Sequence, residues 1–295
     1  MERTEQRIAF IAISAMALLA AACGGGQAPD APTLGGELTL DKPPERIVSL
    51  SPGHTEILFA IGAGDQVIAV DNQSDFPAET ETKTKLDATS PDEAVLEELQ
   101  PELVVVMAGP EEVVQALDQQ GFQVLWLELP DSMGSIFDQI DLLGEITGRV
   151  EQSDRLVDEM DGRVLTVFDE VGATPGPRVY HELDDGLTTV SLDTFIGELY
   201  LILNGRSIAD QSEEPYPQLT VDTIVEADPE VIILAYPSAS PESVKARPGW
   251  QDISAVKNDR IYAIDPDIVN RPGPRLVDGL ETLARLFHPS LFPEP

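Results

Sequence analysis

Cysteine, histidine and lysine are nearly missing from this chain of 295 residues, and each scarcity closes off a class of function. The single cysteine, Cys23, has no second thiol with which to form an intrachain disulfide. The three histidines, His54, His181 and His288, are too widely spaced to suggest a zinc site, so no metal ligands are assigned. Basic residues number 18 against 53 acidic ones, a net charge of −35, and no Lys/Arg cluster is present to neutralise phosphates. That composition argues against nucleic acid as a partner. The glycines at 62 and 64 lack the third member of a dinucleotide fingerprint, and there is no phosphate-loop motif. No Gly-x-Ser-x-Gly elbow occurs either, so no catalytic residue and no cofactor are assigned. The acidic pairs Asp184-Asp185 and Glu213-Glu214 read as solvated loop residues in so acidic a chain. An exported enzyme stays as the competing class.

Long apolar runs are also few, and the one that stands out is at the amino end. Arg3 and Arg7 precede residues 8–22, which are apolar or small and uncharged, and Cys23 and three glycines follow. A charged start, an apolar stretch too short to span a bilayer and a small-residue cleavage site make residues 1–23 a signal peptide. The ending LLAAAC resembles a bacterial lipoprotein signal, with Leu19 one place early and Ala20 where leucine is usual. That resemblance implies lipidation of Cys23; ordinary cleavage after Ala22 is the alternative. Residues 24–43, opening rich in Gly, Pro and Ala, read as a flexible tether.

Past the tether, short apolar stretches alternate with helical spacing. Strands are expected at 46–50, 67–70, 103–107 and 122–127, with helices at 56–61, 90–99, 111–120 and 135–146. The alternation restarts after Pro175 and Pro177, with strands at 178–181, 230–235 and 260–264 and helices at 194–204 and 220–226. Pro274 in a first turn begins a closing helix through Leu276, Leu280, Leu283 and Phe287. Strand and helix in strict alternation imply parallel sheets. Between the two runs, Val150, Val157, Met160, Val164, Val167 and Val171 recur at helical spacing, with Leu156, Leu165 and Phe168 widening the stripe. A helix of this length spans about 33 Å, enough to act as a spine between two α/β lobes. A long surface helix in a single domain is the other possibility. The halves also echo each other, in LQPELVVVM at 99–107 and ADPEVIILA at 227–235. The fold class is therefore α/β: two lobes, each with a central mostly parallel sheet, joined by one long spine helix. The lobes are 44–149 and 173–295, and the spine is 150–172.

Five segments in order carry a family resemblance: RIVSLSPGHTE at 46–56, DFP at 75–77, LQPEL at 99–103, PYPQLT at 215–220 and NRPGPR at 270–275. Together they resemble the periplasmic binding proteins for iron-siderophores, haem and cobalamin that serve ABC importers. The resemblance implies a ligand held between the lobes and no enzymatic activity. It implies a monomer that hands its ligand to a permease dimer with ATPase subunits. It places Pro52, His54, Thr55, Gln73, Phe76, Met107, His181, Leu183, Tyr216, Tyr236, Asp267 and Arg271 at the ligand. It assigns permease docking to Asp222 in the second lobe and to Glu93 in the first, with Glu97 and Glu98 as alternatives. Ser90 and Glu93 also have the spacing of a helix capping box. Gln73, Met107 and Leu183 stand where cobalamin-binding relatives carry aromatic rings, leaving Phe76 and Tyr216. Haem would need an axial ligand, for which His54 or His181 is the candidate. Anionic siderophores would want several arginines, and only Arg271, with Arg275 and Arg206 behind it, is available. That scarcity favours a corrinoid, with ferric siderophore or haem as alternatives.

The acidic surface generates its own test. Like charges destabilise the compact state at low ionic strength, and molar salt shortens their reach to about 3 Å. So acidic a surface suggests a salt-rich habitat; the expected outcome is a thermal midpoint that rises from dilute buffer to molar NaCl, and a flat or falling midpoint refutes it.

Overall fold

The computed structural model describes Leu38 and residues 40–293. The expected signal peptide, Cys23 and most of the tether lie outside the described residues.

The first lobe is built from β1 (Ile47–Ser49), α1 (Pro52–Ala60), β2 (Val67–Asp71), β3 (Thr84–Leu86), α2 (Glu93–Leu99), β4 (Leu103–Met107), α3 (Glu111–Gln119), β5 (Val124–Leu127) and α4 (Met133–Thr147). Then comes the spine, α5 (Val150–Val171). The second lobe follows with β6 (Arg178–Glu182), α6 (Phe195–Ile202), β7 (Arg206–Ser207), α7 (Val221–Ala227), β8 (Val231–Leu234), α8 (Pro241–Lys245), α9 (Ser254–Lys257), β9 (Ile261–Ala263), α10 (Pro266–Val269) and α11 (Leu276–Phe287). Strand order is β3-β2-β1-β4-β5 in one sheet and β7-β6-β8-β9 in the other. Every strand pair in both sheets is parallel.

A parallel sheet must be covered on both faces. The outer faces have separate cores: Val48, Val104 and Leu117 in the first lobe, and Ile232, Val244 and Trp250 in the second. The inner faces share one. Ile47 and Val105 from one sheet and Val179 and Ile233 from the other join Leu143 of α4, Met160 and Val167 of α5, and Leu280 and Leu283 of α11 in a single buried cluster. The spine is also tied to α11 by Arg163, 2.6 Å from Asp278 and 2.9 Å from Glu281. Its apolar stripe is narrower than the spacing suggests: Val150, Leu165 and Phe168 are exposed. α11 starts at Leu276, two residues beyond Pro274.

The sequence echo is structural. Gln100 and Asp228 close α2 and α7 in the left-handed region, at φ 46° and 47°, and each is followed by Pro-Glu and a central strand. The Glu102 carboxylate accepts from the amide of Glu45, just before β1, and Glu230 accepts at 2.9 Å from the amide of Arg178, the first residue of β6. The guanidinium groups of Arg46 and Arg178 reach back to the helix ends, at the carbonyls of Leu99 and Asp228.

Two glycines test how the spine packs. A Cβ on Gly144 of α4 would stand 2.1 Å from the Ser153 hydroxyl of α5, whereas one on Gly162 meets nothing within 4 Å. Gly144→Ala is expected to cost about 1–3 kcal/mol by overpacking. Gly162→Ala should gain roughly 0.5–1 kcal/mol from helix propensity and a less flexible unfolded chain. Urea unfolding of both variants measures the two signs.

Candidate functional site at the seam between the lobes

In open parallel sheets ligands bind beyond the carboxyl ends of the strands. Here the loops after β1 and β2 meet the loop between α10 and α11. Arg271 lies 2.7 Å from Asp75, 3.4 Å from Glu56 and 2.9 Å from Asp267. It also donates to the backbone carbonyl of Gln73 at 3.1 Å. Arg275 forks onto Glu56, Nε to Oε2 at 3.0 Å and Nη2 to Oε1 at 2.6 Å, and its guanidinium carbon stands 4.3 Å over the Phe76 ring. Burial pushes the Asp75 carboxyl up, but Arg271 wins and holds it below the usual range. At Asp267 burial prevails over both arginines and its pKa is raised. The Glu56 fork and its charge raise Arg275, which stays charged.

On another part of the seam, Glu198 of α6 accepts from the amide of Met133 at 2.5 Å, so a second-lobe carboxylate caps the start of first-lobe α4. Burial raises the pKa of Glu198. Phe76, beneath Arg275, is 44% exposed and supplies apolar surface; Leu129 is 40% exposed. Two concavities lie elsewhere, one of about 200 Å³ beside Ser90, Glu93 and Glu112 and one of about 510 Å³ beside Leu201, Asn204 and Arg206. The seam is the candidate because charged groups of both lobes converge on it.

The expected ligand residues divide. Gln73 and Phe76 are exposed, and Pro52, Met107, Leu183, Tyr216, Tyr236, Asp267 and Arg271 are half-buried. His54, Thr55 and His181 are fully buried, which corrects their expected place at the ligand. Both His54 and Thr55 lie in the first turn of α1, which begins two residues after the central strand β1, and their side chains are turned into the protein. The His54 ring donates from Nε2 to Gln139 Oε1 at 3.0 Å, and Thr55 is held between the hydroxyls of Ser49 and Ser74. In β6, strand alternation turns His181 toward α6, where Nδ1 is hydrogen-bonded to the Tyr200 hydroxyl. Both imidazoles are fully buried, so neither is open to ligate a haem iron in this arrangement. Arg271 is likewise neutralised by carboxylates instead of standing free. Burial pushes the hydroxyls of Tyr216 and Tyr236 up to about 12.

Other residues were not singled out from sequence: Glu56, Leu129, Glu198 and Arg247. Glu182 is fully buried, and Arg247 forks onto it, with Nη2 to Oε1 at 2.6 Å, while packing 4.6 Å over the Trp250 ring. Tyr236 donates to the same carboxylate at 2.5 Å. At the docking positions, Asp92 and not Ser90 caps α2, and Glu93 is the first helical residue; Thr220 caps α7 just ahead of Asp222. Glu93, Glu97, Glu98 and Asp222 are all exposed.

This architecture, two parallel-sheet lobes on one spine helix with polar groups converging between them, defines a binding protein. A family model described as "Periplasmic binding protein" matches residues 47–268, and the chain belongs to that family of ABC-importer binding proteins. It is 30% identical over 267 residues to an uncharacterized ABC transporter substrate-binding lipoprotein, YvrC, of Bacillus subtilis, covering 88% of this chain and 84% of that one. It is 29% identical over 268 residues to a cobalamin-binding protein of Halobacterium salinarum, covering 85% and 71%. The solved vitamin B12-binding protein BtuF of Vibrio cholerae superposes with a TM-score of 0.72 at 25% identity, covering 83% and 96%. Haem-binding proteins from Roseiflexus and Pseudomonas aeruginosa share the fold at 22% identity.

The buried histidines give a pH prediction. Burial depresses His54 to about 4 and His181 to about 3, so both are neutral in the folded state near neutrality. Unfolded histidine titrates near 6.5, so below that pH the unfolded chain binds more protons and folding loses stability. In His181→Gln this contribution is absent. The stability gap between the parent and this variant should therefore narrow by roughly 1.4 kcal/mol per pH unit from pH 6.5 toward 4. Urea unfolding at pH 7, 5.5 and 4.5 measures it, and a constant gap refutes a neutral buried His181.

Proposed function

We propose that this chain captures a corrinoid in the seam between its lobes and delivers it to a membrane permease dimer with its ATPase subunits. The observation that carries the reading is the state of the seam arginines. Three carboxylates, Glu56, Asp75 and Asp267, face the two guanidinium groups of Arg271 and Arg275, so the cluster is net negative. An anionic ferric siderophore or the carboxylates of haem would find no uncompensated cation in this cluster. A large ligand edged with neutral amides can hydrogen-bond to paired carboxylates and guanidinium groups while packing apolar surface on Phe76, Leu129 and Met107. The cobalamin-binding names of two similar proteins support the same direction.

Within this reading Pro52, Gln73, Phe76, Met107, Leu183, Tyr216, Tyr236, Asp267 and Arg271 meet the ligand, and Glu93 and Asp222 dock the permease. Residues 1–23 direct export, Cys23 carries the lipid anchor, 24–43 form the tether, and 44–149 and 173–295 are lobes about the spine 150–172. The shared inner core supports small lobe closure, because bending α5 breaks backbone hydrogen bonds. The protein acts by binding, without turnover.

Titration of the purified chain with cyanocobalamin, haemin and a panel of ferric siderophores tests the reading. Sub-micromolar affinity for cyanocobalamin, with solution scattering nearly unchanged on binding, is expected. Tight binding of haemin or a siderophore in its place moves the chain to that branch of the family, and turnover of any of them makes it an enzyme.

A further inference from the structure

Glu56 belongs to the first lobe and its partners belong to the second. It lies in the second turn of α1 and is 3% exposed, so it is sealed from any ligand in the seam. Its Oε1 is 2.6 Å from Nη2 of Arg275 and 3.4 Å from Nη1 of Arg271, and its Oε2 is 3.0 Å from Nε of Arg275. Both arginines sit just ahead of α11 and belong to the charged cluster at the seam. The backbones also touch at this point. A Cβ on Gly53 would stand 2.6 Å from the carbonyl oxygen of Pro272, and one on Gly273 would stand 3.3 Å from the carbonyl oxygen of Gly53. Two glycines thus let the start of α1 and the 272–273 corner approach closely enough for the fork to form.

A carboxylate buried to this degree is tolerated only while it is paired. Parting the lobes at this edge would leave Glu56 without its counter-charges in a site with little access to water. Arg275 would lose the carboxylate that holds its guanidinium over Phe76, and Arg271 would lose one of the groups that aims it between Asp75 and Asp267. The fork is bidentate, which fixes direction as well as distance.

We propose that Glu56 is a positioning residue: it clamps the lobes together at the α1 edge and holds Arg271 and Arg275 in their binding geometry without touching ligand. The ligand half of this statement rests on the proposed corrinoid site; the clamp half does not. The clamp therefore has a readout in the ligand-free chain. Spin labels on Glu112→Cys and Glu226→Cys, exposed positions on opposite lobes, report the inter-lobe distance in a Cys23→Ser background. The parent should give one narrow distance distribution. Glu56→Gln removes the charge at nearly constant shape and should broaden the distribution toward longer distances. It should also weaken cyanocobalamin at least tenfold, mainly through faster dissociation.

Arg275→Lys approaches the clamp from the other lobe and guards against a Glu56 variant that fails to fold. It keeps the charge but loses the fork, so its distribution should fall between parent and Glu56→Gln. In Glu56→Gln/Arg275→Gln no orphan charge remains at the fork, and the distribution should narrow again relative to Glu56→Gln alone. A lower melting point with an unchanged distribution in both single variants would make Glu56 an ordinary structural residue and overturn the clamp. A parent that binds no cyanocobalamin sinks the corrinoid reading while the ligand-free distances still judge the clamp. A parent that binds it, with Glu56→Gln widening the distance but leaving affinity intact, overturns the positioning of the arginines.

Discussion

The constraint on which the rest of this molecule depends is that its two parallel sheets bury their inner faces in one common core. A parallel sheet left bare on either face is not stable in water. Here α4, α5 and α11 cover the inner faces of both sheets together, and the apolar cluster runs without a break from Ile47 in β1 to Phe287 in α11. The lobes are therefore not separate bodies on a flexible linker. Any large rotation between them would expose apolar surface, at about 25 cal/mol per Å², besides bending the spine. A seam held this way can be shaped before the ligand arrives.

Much of the fold was legible because buried parallel strands are written as apolar runs and helices as a 3.6-residue repeat. LVVVM and VIIL announce β4 and β8 from the sequence alone, and the spacing of 150–171 matches α5 end to end. Among the strands, two of the edges escaped. β3 is Thr84–Leu86 and β7 is Arg206–Ser207, short and mostly polar, and they exist because a neighbouring strand offers unpaired backbone groups. No local pattern encodes that.

The site was less legible, for a different reason. Which arginine meets which carboxylate depends on residues more than 200 positions apart, such as Arg275 and Glu56. Sequence showed that the arginines of NRPGPR were unusual in so acidic a chain but not that they were already paired. The sharper signal was Glu56 itself, a carboxylate directly ahead of the apolar run of α1 with no basic residue within helical reach. The histidines failed by orientation. β6 is an inner strand covered on both faces, so His181 is buried along with its neighbours Tyr180 and Glu182, which point the other way. His54, in the first turn of α1, is turned inward to Gln139 of α4.

The scarcity of cations and the burial of carboxylates are linked. With 18 basic residues against 53 acidic ones, most carboxylates must stay in water, where salt screens them. Three acids are deeply buried at or just beyond strand ends: the Ser74 hydroxyl and the Gln73 amide hold Asp71, and an arginine fork meets each of the other two, Arg275 on Glu56 and Arg247 on Glu182. Both arginines also lie over an aromatic ring, Phe76 and Trp250, which covers the guanidinium face and leaves its edge for the carboxylate. Lysine could not replace them, since a point charge on a flexible stem neither forks nor stacks. The chain thus spends two scarce guanidinium groups of its second lobe on internal order, one across the seam to Glu56 and one within the lobe to Glu182. What remains for a ligand in the seam is a rigid surface whose arginines are already paired with carboxylates, suited to holding a large ligand by shape and hydrogen bonds more than by attraction to a cation.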